Sequence, residues 1–285
     1  MKPKIQLSGR LGNQLFQWSF AHLVSISRNT AVSLFTDDHH HGISKNSEIW
    51  KFLKCEHVID GGSRDALGLQ LRSLDWIYSR NQEWSVKISE LLGWNRSMDA
   101  NHVPQNLRKG YKFSGFYQDY EQVLRASNII DDELLRILDQ NCPEVIEVIP
   151  SEFQFVHIRR GDLINLSSSY GLLGYDWYRD NLDSKLPIVA STDDLEGSRD
   201  LLSMLKPDFV LNPSEYTALE TLSVMSNSKR LIMGNSTLSW WGGYAATIRG
   251  GTSIFPDPLY LTNHIGSDKL RAPMFTVSPA KFTTG

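Results

Sequence analysis

From residue 153 onward, short apolar and β-branched runs recur with helix-length segments between them: FQFVHI at 153–158, PIVA at 187–190, DFVL at 208–211, RLIM at 230–233 and TSIF at 252–255. Strands separated by helices pair in parallel, so this spacing predicts repeated βα units and an α/β fold. The N-terminal end follows the same logic: KIQL at 4–7 reads as a strand, a glycine turn follows, and an amphipathic helix runs from about Asn13 to Arg28. AVSLF at 31–35 reads as the next strand, whereas 36–110 is polar and aromatic with weak periodicity and receives no elements. YKFSGFYQD at 111–119 reads as a strand and loop, and Tyr120 to Asn141 carries helical spacing through Val123, Ile130, Leu134 and Leu138.

The segment CPEVIEVIPSE at 142–152 has two prolines ahead of the second strand series and is the best linker. The boundary is expected near 148, giving units 1–148 and 149–285. A chain of 285 residues buries an ample core without staples. Its formal net charge of −3 supplies no basic field, which argues against a nucleic-acid partner. The two cysteines, Cys55 and Cys142, have neither metal-ligand spacing nor a disulfide framework, which fits a reducing cytoplasm. The opening MKPKIQLSGRLGNQLFQ lacks a signal peptide's apolar run, and no stretch of about 18 apolar residues occurs. His39 to His41 form a histidine cluster that reads as a polar loop, since no partner ligand stands at a diagnostic spacing.

Four segments carry candidate chemistry. In GRLGNQLFQ at 9–17, Gly9 and Gly12 allow close backbone approach, and Asn13 and Gln14 offer uncharged donors at a helix start; Asn13 as a helix cap is the alternative. In HIRRGDL at 157–163, a buried strand ends in Arg159, Arg160, Gly161 and Asp162, where two guanidiniums can grip a pyrophosphate, or pair with Asp162. STDD at 191–194 puts Asp193 and Asp194 at another strand end, as a metal site, an arginine partner, a base or a cap. Adjacent aspartates are not the D-x-D spacing of a metal-bridged diphosphate. In NSTLSWWGG at 235–243, Asn235, Ser236 and Thr237 open a helix whose first amides suit a phosphate, and at least one of Trp240 and Trp241 belongs in the core.

In order and separation these segments, with FSGFYQDY at 113–120 and YDWYRDNL at 175–182, resemble glycosyltransferase family 11, the α-1,2-fucosyltransferases. The likeness runs from about residue 5 to about 260. It implies a GT-B fold: two Rossmann-like domains with the donor in the cleft between them, held mainly by the C-terminal one. It further implies inverting transfer of fucose from GDP-β-L-fucose to a glycan hydroxyl, the 2-OH of a β-galactoside, with no cofactor and no metal. By position, Arg159 resembles the arginine on the β-phosphate, His157 lies on the nucleotide side, and Ser236 and Thr237 resemble phosphate-binding residues. Asn13 resembles the asparagine facing the fucosyl end, and Glu220 stands near the carboxylate that reads guanine. Asp162, Asp193 and Asp194 remain open as the base.

The family usually has FSDD followed by tryptophan where this chain has ASTDDLEGS, which puts the acceptor side in doubt. An unanchored chain of this type implies a bacterial enzyme in the cytoplasm or at the cytoplasmic face of the inner membrane, in peripheral contact with it, acting on an oligosaccharide or lipid-linked glycan. The alternatives are another GDP- or UDP-sugar as donor, or a binding module without turnover.

Overall fold

The computed structural model describes residues 2–36, 48–52, 58–60, 94–96, 112–262 and 267–283, with 58–60 and 94–96 described by backbone alone. The histidine cluster at 39–41 and Cys55 lie outside the described residues. Two compact units divide the chain, Met1–Glu133 and Leu134–Gly285. The division falls inside the helix Tyr120–Gln140, ahead of the proline-flanked segment chosen from the sequence.

In the first unit, β1 (Lys4–Leu7) leads through a short turn into α1 (Leu11–Arg28) and β2 (Val32–Thr36). The strands β3 (Val58–Asp60), β4 (Trp94–Arg96) and β5 (Lys112–Ser114) complete a parallel sheet of order β3-β2-β1-β5-β4, and α2 (Tyr120–Gln140) follows. α1 starts at Leu11, earlier than the expected Asn13, with Arg10 in the cap position, and it ends on Asn29 in a left-handed conformation. Every residue of α1 from Leu11 to Ser25 is buried except Asn13. A helix apolar on most sides is an interior helix, and here Phe16, Trp18, Phe20 and Val24 carry the burial.

The second unit contains β6 (Gln154–Ile158), α3 (Tyr175–Asn181), β7 (Ile188–Thr192), α4 (Arg199–Leu205) and β8 (Phe209–Leu211). It continues through α5 (Ala218–Ser226), β9 (Arg230–Ile232), α6 (Thr237–Ile248), β10 (Thr252–Asp257) and β11 (Thr276–Pro279). All five strands expected from 153 onward are present, and β11 is an addition that the sequence pattern did not announce. The sheet order is β11-β10-β9-β6-β7-β8, all parallel. Counted within the unit, this is the doubly wound order of a nucleotide-binding sheet, and the progression of strand order reverses between β6 and β9. One face of the sheet, with Val156, Ile158, Ala190, Ile232 and Ile254, packs on Trp177, Tyr178, Leu201 and Leu205. Both Trp240 and Trp241 are buried. The architecture is thus α/β with two Rossmann-like units, as a GT-B chain requires.

The first unit's reversal lies between β1 and β5, paired from Lys4↔Lys112 to Gln6↔Ser114. The fully buried Gln17 stitches the loops that leave these strands: its Oε1 accepts from Ser8 N at 3.0 Å, and its Nε2 donates to Ser8 Oγ at 2.9 Å and Gly115 O at 2.8 Å. Replacing Gln17 by leucine keeps the volume but orphans the loop groups, so the variant should lose about 2–3 kcal/mol. A urea midpoint shift at unchanged slope would measure it.

Candidate active site

In open parallel sheets, ligands bind beyond the carboxyl ends of the strands where the order reverses. At that point in the second unit, β6 runs out into Arg159, β7 into Asp193, and β9 into Gly234 and the start of α6. Gly234 lies against the neighbouring strand end: a Cβ there would stand 2.7 Å from His157 O and 3.4 Å from Arg159 N. Only glycine lets the β9 loop approach β6 this closely.

Arg159 is held between two carboxylates, its Nη2 on Asp162 Oδ1 and its Nη1 on Asp193 Oδ2. Asp193 also accepts the Arg160 amide through Oδ1 at 2.8 Å, so one carboxylate fixes both the backbone turn and the guanidinium. Gly161, at φ +25, leaves the space that Asp193 Oδ2 occupies. Arg160 is turned inward and buried, donating to Leu173 O at 2.9 Å and Arg159 O at 3.3 Å. The expected pair of guanidiniums therefore reduces to Arg159, because Arg160 satisfies main-chain carbonyls. Asp194 accepts from Gly197 N at 3.0 Å and closes its own turn. Asp162 is half-exposed on the outer side of Arg159.

The aromatic segment at 175–182 braces these strand ends. Trp177 Nε1 donates to Met233 O at 3.1 Å and Tyr178 OH to His157 O at 3.3 Å, at the ends of β9 and β6. At the head of α6, Ser236 is the cap and accepts from Ser239 N at 3.1 Å, with Thr237 as first helical residue. The first-turn amides and the helix dipole make this an anion-favouring end. Asn235 is 2% exposed; its Nδ2 donates to Tyr170 O at 3.2 Å and Gly171 O at 3.0 Å, while its Oδ1 is buried with no partner among the described residues. Tyr170 meets Tyr260 edge to face at 5.0 Å, and the Tyr260 phenol, raised by burial, feels the Arg159 charge. These two tyrosines had no motif signal. Glu220 sits in a capping box with Thr217, its Oε2 accepting from Thr217 N at 2.8 Å; T-A-L-E at 217–220 is the pattern that encodes it.

In the first unit, Gln14 Nε2 donates to Gly9 O at 2.8 Å, so Gln14 holds the turn. Gly12 is buried within α1, and Asn13 Oδ1 accepts from Gln118 Nε2 at 2.8 Å. Among the described residues, no group of three or more His, Cys, Asp or Glu side chains could hold a metal ion, and no helix is long and apolar enough to cross a membrane.

The chain matches Glycosyl transferase family 11 over residues 2–266. It belongs to that family. Family 11 relatives in Escherichia coli include the O-antigen biosynthesis glycosyltransferase WbnK, 24% identical over 295 residues with 90% of this chain and 95% of the relative covered. An alpha-1,2-colitosyltransferase of the same organism is 23% identical, with 92% and 93% covered. The chain is also similar to the Bradyrhizobium fucosyltransferase NodZ, at 11% identity and a TM-score of 0.47, over 85% of this chain and 91% of that one.

His157, 4% exposed, is lowered to about 3, first by burial and then by the charge of Arg159. The unfolded imidazole titrates near 6.5. Between these values the unfolded chain binds a proton that the folded chain refuses, so stability is complete above about pH 6.5 and falls on acidification, by up to about 1.4 kcal/mol per pH unit. His157→Asn should remove that component, giving a flatter decline between pH 6 and 4 in urea titrations than the parent protein shows.

Proposed function

We propose that this family 11 glycosyltransferase moves L-fucose from GDP-β-L-fucose to a hydroxyl of an acceptor glycan, the 2-OH of a β-galactoside, with inversion at C1. The observation that carries the reading is Arg159, held at the carboxyl end of β6 beside the N-terminal end of α6 at the sheet's reversal. A diphosphate there meets a forked guanidinium on one side and helix amides on the other. As the C1–oxygen bond breaks, charge grows on the β-phosphate and Arg159 takes it up, in a site already organised by Asp193. The acceptor hydroxyl attacks the opposite face, and Asp162 and Asp194 remain the candidates to receive its proton, Asp193 being committed to Arg159 and the Arg160 amide.

The same commitment supports a metal-independent reaction. Asp193 and Asp194 serve Arg159, the Arg160 amide and the Gly197 amide, and the positive charge that a divalent ion would otherwise supply comes from Arg159 and α6. Asn13, the partly open residue of an otherwise buried helix start, suits the sugar end of the donor. Glu220 keeps a place near guanine only if its capping box leaves Oε1 for the base. The E. coli relative named for O-antigen biosynthesis supports an oligosaccharide acceptor of that type, and the colitosyl relative makes GDP-colitose the second donor to test.

GDP release should be measured with GDP-fucose, GDP-colitose and other GDP- and UDP-sugars against a panel of β-galactosides. Release of GDP from GDP-fucose only when a galactoside is present, with an α-1,2 product by NMR, is the expected result. No product after long incubation would turn the reading toward a binding module. Arg159→Ala should lower turnover by at least about a hundredfold and weaken GDP binding, with Arg159→Lys recovering little, since a point charge lacks the fork. Turnover near that of the parent in the alanine variant would remove Arg159 from the phosphate. Activity should persist in excess EDTA, with added manganese changing the rate less than about threefold, well short of what a catalytic ion supplies. Loss in EDTA with recovery on manganese would make Asp193 and Asp194 metal ligands.

A further inference from the structure

The loop after β5 carries a feature that the reaction as described leaves unused. Tyr117 adopts a left-handed backbone at φ 54, although it is bulky and fully buried, its ring stacked on Phe20 at 3.9 Å. A non-glycine residue in that region is strained and persists only where the surroundings enforce it. Here the enforcement is visible: Gln17 holds Gly115 O, Asp119 N donates to Tyr117 O at 2.9 Å, Asp119 Oδ1 accepts from Glu121 N at 2.8 Å, and Gln122 Nε2 donates to Phe16 O at 3.1 Å. The residue that this strained turn delivers is Gln118, and its Nε2 reaches Asn13 Oδ1 at 2.8 Å.

A carboxamide can present either end. By donating to Oδ1, Gln118 decides which end Asn13 shows: the oxygen is occupied, and the Nδ2 donor lies over Gly9, whose missing side chain makes the room. We propose that Gln118 is a positioning residue, acting through Asn13 to hold its amide with the donor end toward the reacting sugar. The inference rests on the reading of Asn13 as the residue at the sugar end. A hydroxyl or ring oxygen then meets a fixed N–H, a neutral donor suited to uncharged sugar groups. Fixing the amide also removes the rotamer choice that a lone exposed asparagine keeps.

Gln118→Glu keeps the shape but offers no donor at neutral pH, whereas Gln118→Lys keeps a donor. The glutamate variant should lower kcat about tenfold or more while GDP Kd and the melting temperature stay near those of the parent. The lysine variant should recover part of that loss. Asn13→Ala alone should lower kcat with little effect on GDP Kd, and adding Gln118→Glu to it should change kcat by less than about twofold, because the residue through which Gln118 acts is gone. Full additivity in the double variant, a glutamate variant as active as the parent, or a lysine variant no better than glutamate would overturn the proposal. A readout independent of turnover separates it from the fucosyl-transfer reading: the Asn13 side-chain amide protons should move downfield in Gln118→Glu, as the flipped amide donates to the carboxylate. Unchanged Asn13 amide resonances would overturn the positioning role even in an active enzyme. A downfield shift in a protein that turns over no GDP-sugar would leave the positioning intact and overturn the assigned reaction.

Discussion

The pairing of β6 with β7 on one side and β9 on the other is the constraint from which the second unit's chemistry follows. Parallel strands discharge their following loops at one edge, so this single arrangement brings Arg159, Asp193 and Gly234 together from positions far apart in the chain. Hydrogen bonds then fix what pairing has gathered. Trp177 and Tyr178 hold the carbonyls of Met233 and His157, and Asp193 holds both the Arg160 amide and the Arg159 guanidinium. An arginine fixed at both forks loses little freedom on meeting an anion, which is the condition for stabilising charge as it forms.

The first unit repeats the arrangement with neutral groups. Its reversal between β1 and β5 is closed by Gln17 and topped by Asn13 and Gln118, where the second unit uses an arginine and aspartates. Amides bind hydroxyls without preferring charge, whereas guanidiniums prefer phosphates. The two loop clusters differ in charge, one built of neutral amides and one of an arginine and aspartates, although the sheets that carry them are built alike.

Much of this is legible in the sequence. The strand runs at 153–158, 187–190, 208–211, 230–233 and 252–255 are short, apolar and bounded by turn residues, and each corresponds to a strand, although β8 leaves Val210 exposed. The arginine segment was legible because charge at the end of an apolar strand is conspicuous. Gln17, Tyr117 and Gln118 were not, because their roles depend on a loop close in space and distant in sequence, and an uncharged amide gives no periodic or electrostatic signal. Arg160 was misjudged for a related reason: nothing local tells a guanidinium that faces solvent from one that satisfies Leu173 O inside the fold. The capping box at Thr217 and Glu220 is readable from its T-x-x-E spacing and gives Glu220 a structural role beside the base-reading one that its position suggests.

A capping glutamate is already oriented, by the Thr217 amide at 2.8 Å, and already placed near the positive end of a helix. Capping and recognition therefore do not compete as strongly as two ligands for one oxygen would, because Oε2 alone takes the cap. The same reasoning applies to Asp193, where one oxygen holds the Arg160 amide and the other holds Arg159. Both Asp193 oxygens are thus turned to the Arg159 loop, one to its backbone and one to its side chain.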